Sequence, residues 1–111
     1  MSIVKNLTPH DVIVVWENEK LTFPATGTVA RVTTSSTPAG VLEVEGKLLP
    51  LKREEFGEVE NLPDPEDGVY FIVSSIVASA AIGRSDILIP NDFVRDEEGR
   101  ILGCRSLRLA N

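Results

Sequence analysis

Short apolar runs separated by turn residues fill the chain, and this pattern is typical of β-strands. Val12–Trp16 is a continuous run of β-branched and aromatic residues, which predicts a strand covered on both faces. Residues 21–23 and 28–33 lie on either side of a Pro-Ala-Thr-Gly turn, so we expect them to be neighbouring strands. The N-terminal third of the chain is therefore predicted to be β-structure.

A β-hairpin is predicted in the middle of the chain. Residues 41–45 alternate apolar and acidic side chains, and Gly46 permits a tight reversal into the apolar residues 48–51. The segment 53–67 that follows contains two prolines and many acidic residues. Because proline cannot donate to a strand ladder, we expect this segment to be a surface loop.

The second half of the chain predicts one helix between two strands. Residues 69–73 are a continuous apolar strand, and Ser74 and Ser75 then offer side-chain oxygens that can cap a helix over residues 76–82. Gly83 supplies a natural end for this helix. Because the helix is apolar nearly all round, we expect it to be buried against the sheet.

The remaining strands complete the predicted fold. Residues 87–89 form the next strand, and the connection 74–86 is long enough for a parallel β-α-β crossover, although an antiparallel return remains open. Residues 93–96 and 100–107 form a closing hairpin. The prediction is a single α+β domain over residues 1–111, a β-rich curled sheet or small barrel with one short buried helix. Its core is predicted to include Val14, Val73, Ile76 and Ile87.

The composition agrees with one ordinary domain. A chain of 111 residues with 42% hydrophobic residues can bury a core of its own. A single cysteine excludes a disulfide framework, and no apolar stretch approaches the roughly 20 residues needed to cross a bilayer. The N-terminus also lacks the apolar core of a signal peptide, so we expect a cytoplasmic location.

The charge is acidic overall but unevenly distributed. A net charge of −6 is the wrong sign for a general affinity for DNA, RNA or anionic lipid, so we expect neither nucleic acid nor a membrane as a direct partner. Residues 53–67 hold seven acidic residues and one arginine, whereas five of the seven arginines follow residue 83. The acidic segment is therefore a candidate for docking on a basic partner, and a local cationic surface is compatible with the rest of the chain.

Several short segments, spread over most of the chain, carry a family resemblance. They are residues 6–10 (NLTPH), 27–32 (GTVARV), 57–59 (GEV) with 62–63 (LP), 70–74 (YFIVS), 84–86 (RSD), 95–96 (RD) and 99–105 (GRILGCR). In this order they resemble a group of small uncharacterised proteins encoded by tailed bacteriophages, prophages and their bacterial hosts. The resemblance implies a phage context inside the host cell, in which a compact acidic protein acts as a virion accessory, a takeover factor or an inhibitor of host defence.

Catalytic and metal-binding chemistry has little support in the sequence. His10 and the adjacent aspartate point to opposite faces of an extended segment, so a catalytic set needs the fold to bring His10 to a serine or to Cys104. One histidine and one cysteine match no known metal-site spacing. We therefore favour a non-catalytic protein with no metal and no cofactor. In such a protein, we expect the imidazole of His10 to anchor a turn by bonding a local carbonyl. We expect Cys104 to be a small buried apolar residue.

A candidate anion-binding set surrounds the predicted helix. Serine hydroxyls and unpaired amides at a helix N-terminus hold phosphate or carboxylate groups, and an arginine fork grips such groups at two points. The candidate ligand-binding residues are Ser74, Ser75, Arg84, Arg105 and Arg31. In the structural alternative, Ser74 only caps the helix, while Arg84 and Arg95 pair with nearby aspartates.

Two classes of function follow from these features. In the first, a non-catalytic protein binds and sequesters an anionic, nucleotide-derived small ligand and so counters host defence signalling. In the second, a virion-associated or host-protein-binding accessory protein uses the acidic loop 53–67 as its interaction surface. A homo-oligomer is compatible with either class.

Overall fold

Eight strands and one helix make up residues 2–110, which are the residues that the computed structural model describes. In chain order the elements are β1 (Ile3–Asn6), β2 (Val12–Trp16), β3 (Glu19–Phe23), β4 (Arg31–Val44), β5 (Lys47–Glu60), β6 (Val69–Ile72), α1 (Ser75–Ala80), β7 (Ile87–Arg95) and β8 (Ile101–Leu109). They form a six-stranded sheet and a separate two-stranded hairpin.

The main sheet has the strand order β1-β6-β7-β8-β2-β3. The β1-β6, β6-β7 and β2-β8 pairs are parallel, whereas the β2-β3 and β7-β8 pairs are antiparallel. A parallel bridge from Asn6 to Ala25 joins the segment after β3 to the opposite edge strand β1, and the sheet curls into a half-barrel. The predicted curled sheet with one short helix is therefore confirmed. The α+β class is wrong, because a helix of six residues leaves the fold mostly β.

The helix α1 crosses between two parallel strands, so the β-α-β prediction is confirmed. Ser74 caps it, because the Ser74 hydroxyl accepts the backbone N–H of Val77 at 3.4 Å. The helix spans Ser75–Ala80 and is shorter than the predicted range 76–82. Gly83 follows in the left-handed region, with φ 85°, where glycine reverses the chain without strain.

One face of α1 is buried and the other is exposed. Val77, Ala78 and Ala81 belong to the core, whereas Ile76 is 43% exposed and Ile82 is 84% exposed. The predicted burial of the whole helix, with Ile76 in the core, is therefore wrong, because the sheet covers only the side of the helix that faces it. Within residues 2–110, no helix is long and apolar enough to span a membrane.

The core consists of two apolar clusters, which lie on the two faces of the main sheet. Phe71 and Ile72 are adjacent in β6 and belong to different clusters, since successive side chains of a strand point to opposite faces. Phe71 lies on the side of α1 together with Val73 and Ile87, and Val14 lies with Ile72 on the other face. Val14, Val73 and Ile87 are thus buried as predicted.

β4 and β5 form a long hairpin outside the main sheet, which we call the arm. The predicted reversal at Gly46 is confirmed, but each strand has 14 residues. Residues 28–33 lead into β4, whereas residues 21–23 end β3 and pair with β2. The prediction that these two segments are neighbouring strands is therefore wrong.

The acidic segment 53–67 is part strand and part loop. Residues 53–60 belong to β5, so the prediction of a loop is wrong for this half of the segment. Glu54 and Glu55 lie opposite two serines of β4 and are exposed, so acidic side chains in this ladder keep their contact with water. The two prolines fall within the loop 61–68 that follows.

The arm gives the molecule an extended shape. The Cα radius of gyration is 17.8 Å, whereas a compact domain of this length has about 13 Å. Val32 and Val59 lie opposite each other at the base of the arm and pack against the core on the side of α1. Farther along the arm, the large apolar side chains are exposed.

The closing hairpin is confirmed, with longer strands than predicted. Residues 87–89 and 93–96 lie almost entirely within the single strand β7, which pairs with β8. The carboxylate of Asp96 accepts the backbone N–H groups of Glu98 and Arg100, each at 2.9 Å. These bonds fix the turn that brings β8 back along the sheet.

Candidate functional site

The side chain of Asn6 holds the loop 7–11 between β1 and β2. Its amide nitrogen donates to the carbonyl oxygens of His10, at 2.7 Å, and Phe23, at 2.8 Å. Its oxygen accepts the N–H of Thr8 at 2.9 Å and the hydroxyl of Thr8 at 2.6 Å. Asn6 is 1% exposed, so these four bonds replace the hydration that the amide loses on burial. The loop therefore presents Thr8 and His10 in a fixed arrangement.

A cleft of about 630 Å³ opens where this loop meets the end of β6 and the middle of β7. Its volume lies within the range of roughly 300–1,000 Å³ that is usual for small-molecule sites. The apolar lining consists of Val12, Val73, Ile89, Pro90 and Phe93, and the polar lining consists of Thr8, His10, Ser74, Ser75, Asn91, Asp92 and Arg108. Apolar walls with a few convergent polar groups are typical of ligand sites.

Ser74 and Ser75 reach the cleft because they follow β6 at the point where the chain turns into α1. The hydroxyl of Ser74 accepts the N–H of Val77, which leaves its own hydrogen free to donate. The amide of Val77 is therefore already bonded, and α1 has only six residues. The cleft thus offers serine hydroxyls to an anion, whereas the predicted contribution of the helix N-terminal amides has no support in this geometry.

Arg108 and His10 bring nitrogen donors to the cleft. Within residues 2–110, neither the Arg108 guanidinium nor the His10 imidazole has a hydrogen-bond or ion-pair partner. His10 does anchor the loop, but through its backbone carbonyl, so the predicted bond from its imidazole is wrong. Arginine carries five N–H donors in a planar fork that matches phosphate and carboxylate. Arg108 is therefore the strongest anion-binding group in the cleft.

Asp92 places a carboxylate in the lining of the cleft. Its Oδ1 lies 3.6 Å from Nη1 of Arg105, and both side chains are more than half exposed, at 56% and 59%. Such a long, exposed ion pair contributes little to stability. Arg105 is thus absent from the cleft lining and approaches it only through Asp92.

Arg31 lies on the other side of Ser74 from the cleft. It lines a second, more open cavity of about 440 Å³, which Ser74 also lines. At the base of the arm, Arg31 lies directly opposite Glu60 in the strand ladder, and Glu60 lines the same cavity. The structure therefore brings Arg31 near Ser74 but not into the cleft.

Arg84 has a structural role. Its Nε and Nη2 bind the two carboxylate oxygens of Asp86 at 2.8 and 2.7 Å, and Nη2 also donates to the carbonyl oxygen of Pro63 at 2.9 Å. The hydrogen bonds from Arg84 lower the pKa of Asp86 below its usual 3.8, and the same pairing raises the pKa of Arg84. The structural alternative is confirmed for Arg84, which ties the loop 61–68 to the start of β7.

Sequence reasoning missed Thr8, Asn91 and Arg108 as cleft residues, and it gave His10 only a turn-forming role. No local signal separates Arg108 from Arg105, which lie three residues apart on one strand and so point to opposite faces. Which face lines a cleft depends on the curl of the whole sheet.

The geometry does not assemble an activated nucleophile. His10 shares the cleft with Ser74 and Ser75, but within residues 2–110 no hydrogen bond joins its imidazole to either hydroxyl. Cys104 is 1% exposed, its Sγ lies 3.5 Å from the carbonyl oxygen of Ile13, and burial raises the pKa of its thiol. The prediction that Cys104 is a buried apolar residue is confirmed. No cluster of three His, Cys, Asp or Glu side chains in the described range could hold a metal ion.

Comparison with known proteins does not assign the cleft. The chain matches no protein-family model, no curated protein and no solved structure. The resemblance to small phage-encoded proteins therefore stays an expectation from the sequence. What the cleft binds has to be inferred from its own residues.

Proposed function

We propose that the protein binds a small anionic, nucleotide-like ligand in the cleft and does not convert it chemically. The observation that carries this proposal is the convergence of Arg108, His10 and the hydroxyls of Ser74 and Ser75 on one cavity that also has an apolar wall. A nucleotide combines matching groups, since it has a charged phosphate at one end and a flat, largely apolar base at the other.

The phosphate end would lie against Arg108 and the serine hydroxyls. A hydrogen bond to a charged group contributes roughly 1.5–3 kcal/mol, and a two-point arginine contact adds a defined orientation. Because Arg108 has no ion-pair partner within residues 2–110, binding a phosphate breaks no existing ion pair. The net charge of −6 belongs to the chain as a whole, whereas the cleft lining itself carries one arginine, Arg108, and one carboxylate, Asp92.

The base end would lie against the apolar wall formed by β7. Phe93 is 46% exposed at the cleft and offers a ring face for stacking. The amide nitrogen of Asn91 donates to the hydroxyl of Ser106 at 3.0 Å. This bond orients the Asn91 side chain and leaves its oxygen free to accept an N–H from a base. Adenine, cytosine and guanine carry an amino group that suits this acceptor.

The biological role that we propose is sequestration of a nucleotide-derived signal of host defence. Two features support it: a ligand-sized cleft without an activated nucleophile, and the resemblance of the chain to small proteins of tailed bacteriophages. A sequestering protein needs affinity and abundance but no turnover.

Native mass spectrometry of protein purified from cells, followed by calorimetry, tests this proposal. The panel consists of cyclic dinucleotides, ADP-ribose derivatives and ordinary nucleotides, at a protein concentration near 50 μM that detects weak micromolar binding. We expect one class to bind, Arg108→Ala to weaken it at least tenfold, and Arg108→Lys to weaken it less. Arg100→Ala, which removes an exposed arginine outside the cleft, is the matched control. Absence of binding across the panel would contradict the proposal.

A further inference from the structure

The tip of the arm exposes apolar side chains on both of its faces. On one face Leu42 lies directly opposite Leu49, and on the other face Val41 lies opposite Pro50. The exposed fractions of the large apolar residues between positions 41 and 51 are 62% for Val41, 51% for Leu42, 44% for Val44, 69% for Leu48, 49% for Leu49 and 38% for Leu51. Monomeric soluble proteins rarely expose so continuous an apolar surface.

Within residues 2–110, the rest of the chain does not cover this tip. Each strand of the arm has 14 residues and therefore spans about 46 Å, and the base of the arm is the end that packs on the core. A two-stranded hairpin is only marginally stable in water when it stands alone. The length of the arm keeps its tip away from its own body, so the cover has to come from another molecule.

The edges of the arm are poorly suited to pairing with further strands. Pro38 and Pro50 have no N–H to donate, and the register shifts between Pro38 and Val41. Prolines and bulges are the features that protect edge strands from pairing. The faces of the tip, rather than its edges, are therefore the parts suited to contact with another molecule.

A complementary surface lies on the main sheet, on the face opposite α1. This groove has a volume of about 390 Å³ and is lined by Val14, Trp16, Leu21, Phe23, Leu107, Arg105 and Ser106. Trp16 is 38% exposed and Leu21 is 51% exposed, so both have apolar surface to offer. Tryptophan and arginine are the residues most enriched at the centres of protein interfaces.

The charges of the two surfaces are also complementary. The turn at the tip carries Glu43, Glu45 and Lys47, all exposed, and so has a net charge of −1. The groove carries Arg105, which is 59% exposed and whose single charged contact among the described residues is the long one of 3.6 Å with Asp92. Opposite charges at the edge of an apolar contact favour one docking orientation over others.

We propose that the arm tip docks in the groove of a second copy of this chain. Reciprocal docking gives each partner one occupied groove and one covered arm, which closes the assembly as a two-fold symmetric dimer. This inference is independent of the ligand proposed for the cleft.

Sedimentation of the full-length chain between 1 and 100 μM tests the proposal. We expect twice the chain mass of 12.1 kDa at the higher concentrations. The tip variant Leu42→Asp/Leu49→Asp and the groove variant Leu21→Asp should each raise the dimer dissociation constant at least a hundredfold. Ile82→Asp, at a site 84% exposed outside both surfaces, should leave it unchanged. A chain that stays monomeric throughout the range, or a groove variant that still dimerises normally, would overturn the proposal.

Two mixing experiments separate this contact from others, and the second does not depend on apolar-to-acid variants. An equimolar mixture of tip and groove variants retains one intact arm and one intact groove, so a mixed dimer should return. In a second pair, Glu45→Cys and Arg105→Cys, oxidation of the mixture should give a disulfide between the two variants, since the native Cys104 is buried. Absence of that disulfide in a folded mixture would also overturn the proposal.

Discussion

The side-chain amide of Asn6 donates a hydrogen bond of 2.8 Å to the carbonyl oxygen of Phe23, which lies 17 positions later in the chain. Asn6 ends one edge strand of the main sheet and Phe23 ends the other. The bond therefore joins the two edges of the half-barrel next to the bridge between Asn6 and Ala25. The same side chain fixes the loop that carries Thr8 and His10 into the cleft.

Asn6→Asp should destabilise the protein although the two side chains have nearly the same shape. The substitution replaces two N–H donors by a carboxylate that faces two carbonyl oxygens without exposure to water. Leaving buried groups unsatisfied costs about 1–3 kcal/mol each, so the free energy of unfolding should fall by roughly 2–4 kcal/mol. Urea denaturation measures this loss, with exposed Asn18→Asp as the control. A loss below about 0.5 kcal/mol would show that the Asn6 bonds do not hold the sheet.

Asp92→Asn should strengthen ligand binding. The substitution removes a negative charge from the cleft lining, and asparagine tolerates the left-handed backbone at this position, where φ is 58°. Like charges about 4 Å apart repel by about 1 kcal/mol in water, so affinity for an anionic nucleotide should rise about fivefold. Calorimetry with the tightest ligand of the panel measures the change, and Asp67→Asn in the loop 61–68 is the matched control. Unchanged or weaker binding would place the anion away from Asp92.

The ion pair between Arg84 and Asp86 should make stability depend on pH in the acid range. Hydrogen bonds from Arg84 lower the pKa of Asp86 below 3.8, so the pair stabilises the fold fully above this pH. Its contribution, about 1–3 kcal/mol, should be lost as the pH falls from 3.8 through the lowered pKa of the folded state. The difference in unfolding free energy between the wild type and Asp86→Asn, measured from pH 7 to pH 2.5, should shrink over this range. A difference that is constant with pH would contradict the assignment.

Two neighbouring residues of α1 should respond differently to truncation. Val77 is 1% exposed and Ile76 is 43% exposed. Val77→Ala removes buried methyl groups and leaves a cavity, at a cost of about 1–3 kcal/mol, whereas Ile76→Ala should stay within about 0.5 kcal/mol. Because both substitutions replace a β-branched residue by alanine in one helix, their difference in helix propensity is small. Equal losses in urea denaturation would show that α1 packs through a different face.

Local features of the fold were predictable from the sequence. The capping serine, the apolar helix and the two flanking strands all lie within the 27 residues 69–95, so they interact through short connections. The reversal at Gly46 was predictable for the same reason. The length of the arm was not, because a ribbon with water on both faces needs no alternation of apolar and polar side chains.

The cleft was only partly predictable. Ser74 and Ser75 reach it because of their place at the end of a strand, which a sequence pattern can locate. The sequence allowed two roles for Arg84, and the structure shows the structural one, since Arg84 pairs with Asp86 two residues away. Arg108 and the loop that carries His10 meet there through the successive pairings of β1, β6, β7 and β8, which follow from the long-range assembly of the sheet and not from local spacing.

The hydrogen bond from Cys104 to Ile13 spans 91 positions, and it marks the strand pair through which β2 and β3 join the sheet. During synthesis, the strand Val12–Trp16 can pair with β3 at once, but its other edge stays unpaired until β8 has been made. Pairing between strands that lie far apart in the sequence is slow, and chaperones commonly protect chains whose apolar strands are still unpaired. The arm closes through one local turn and can form early, whereas the half-barrel forms last. Folding of the main sheet is thus coupled to completion of β8.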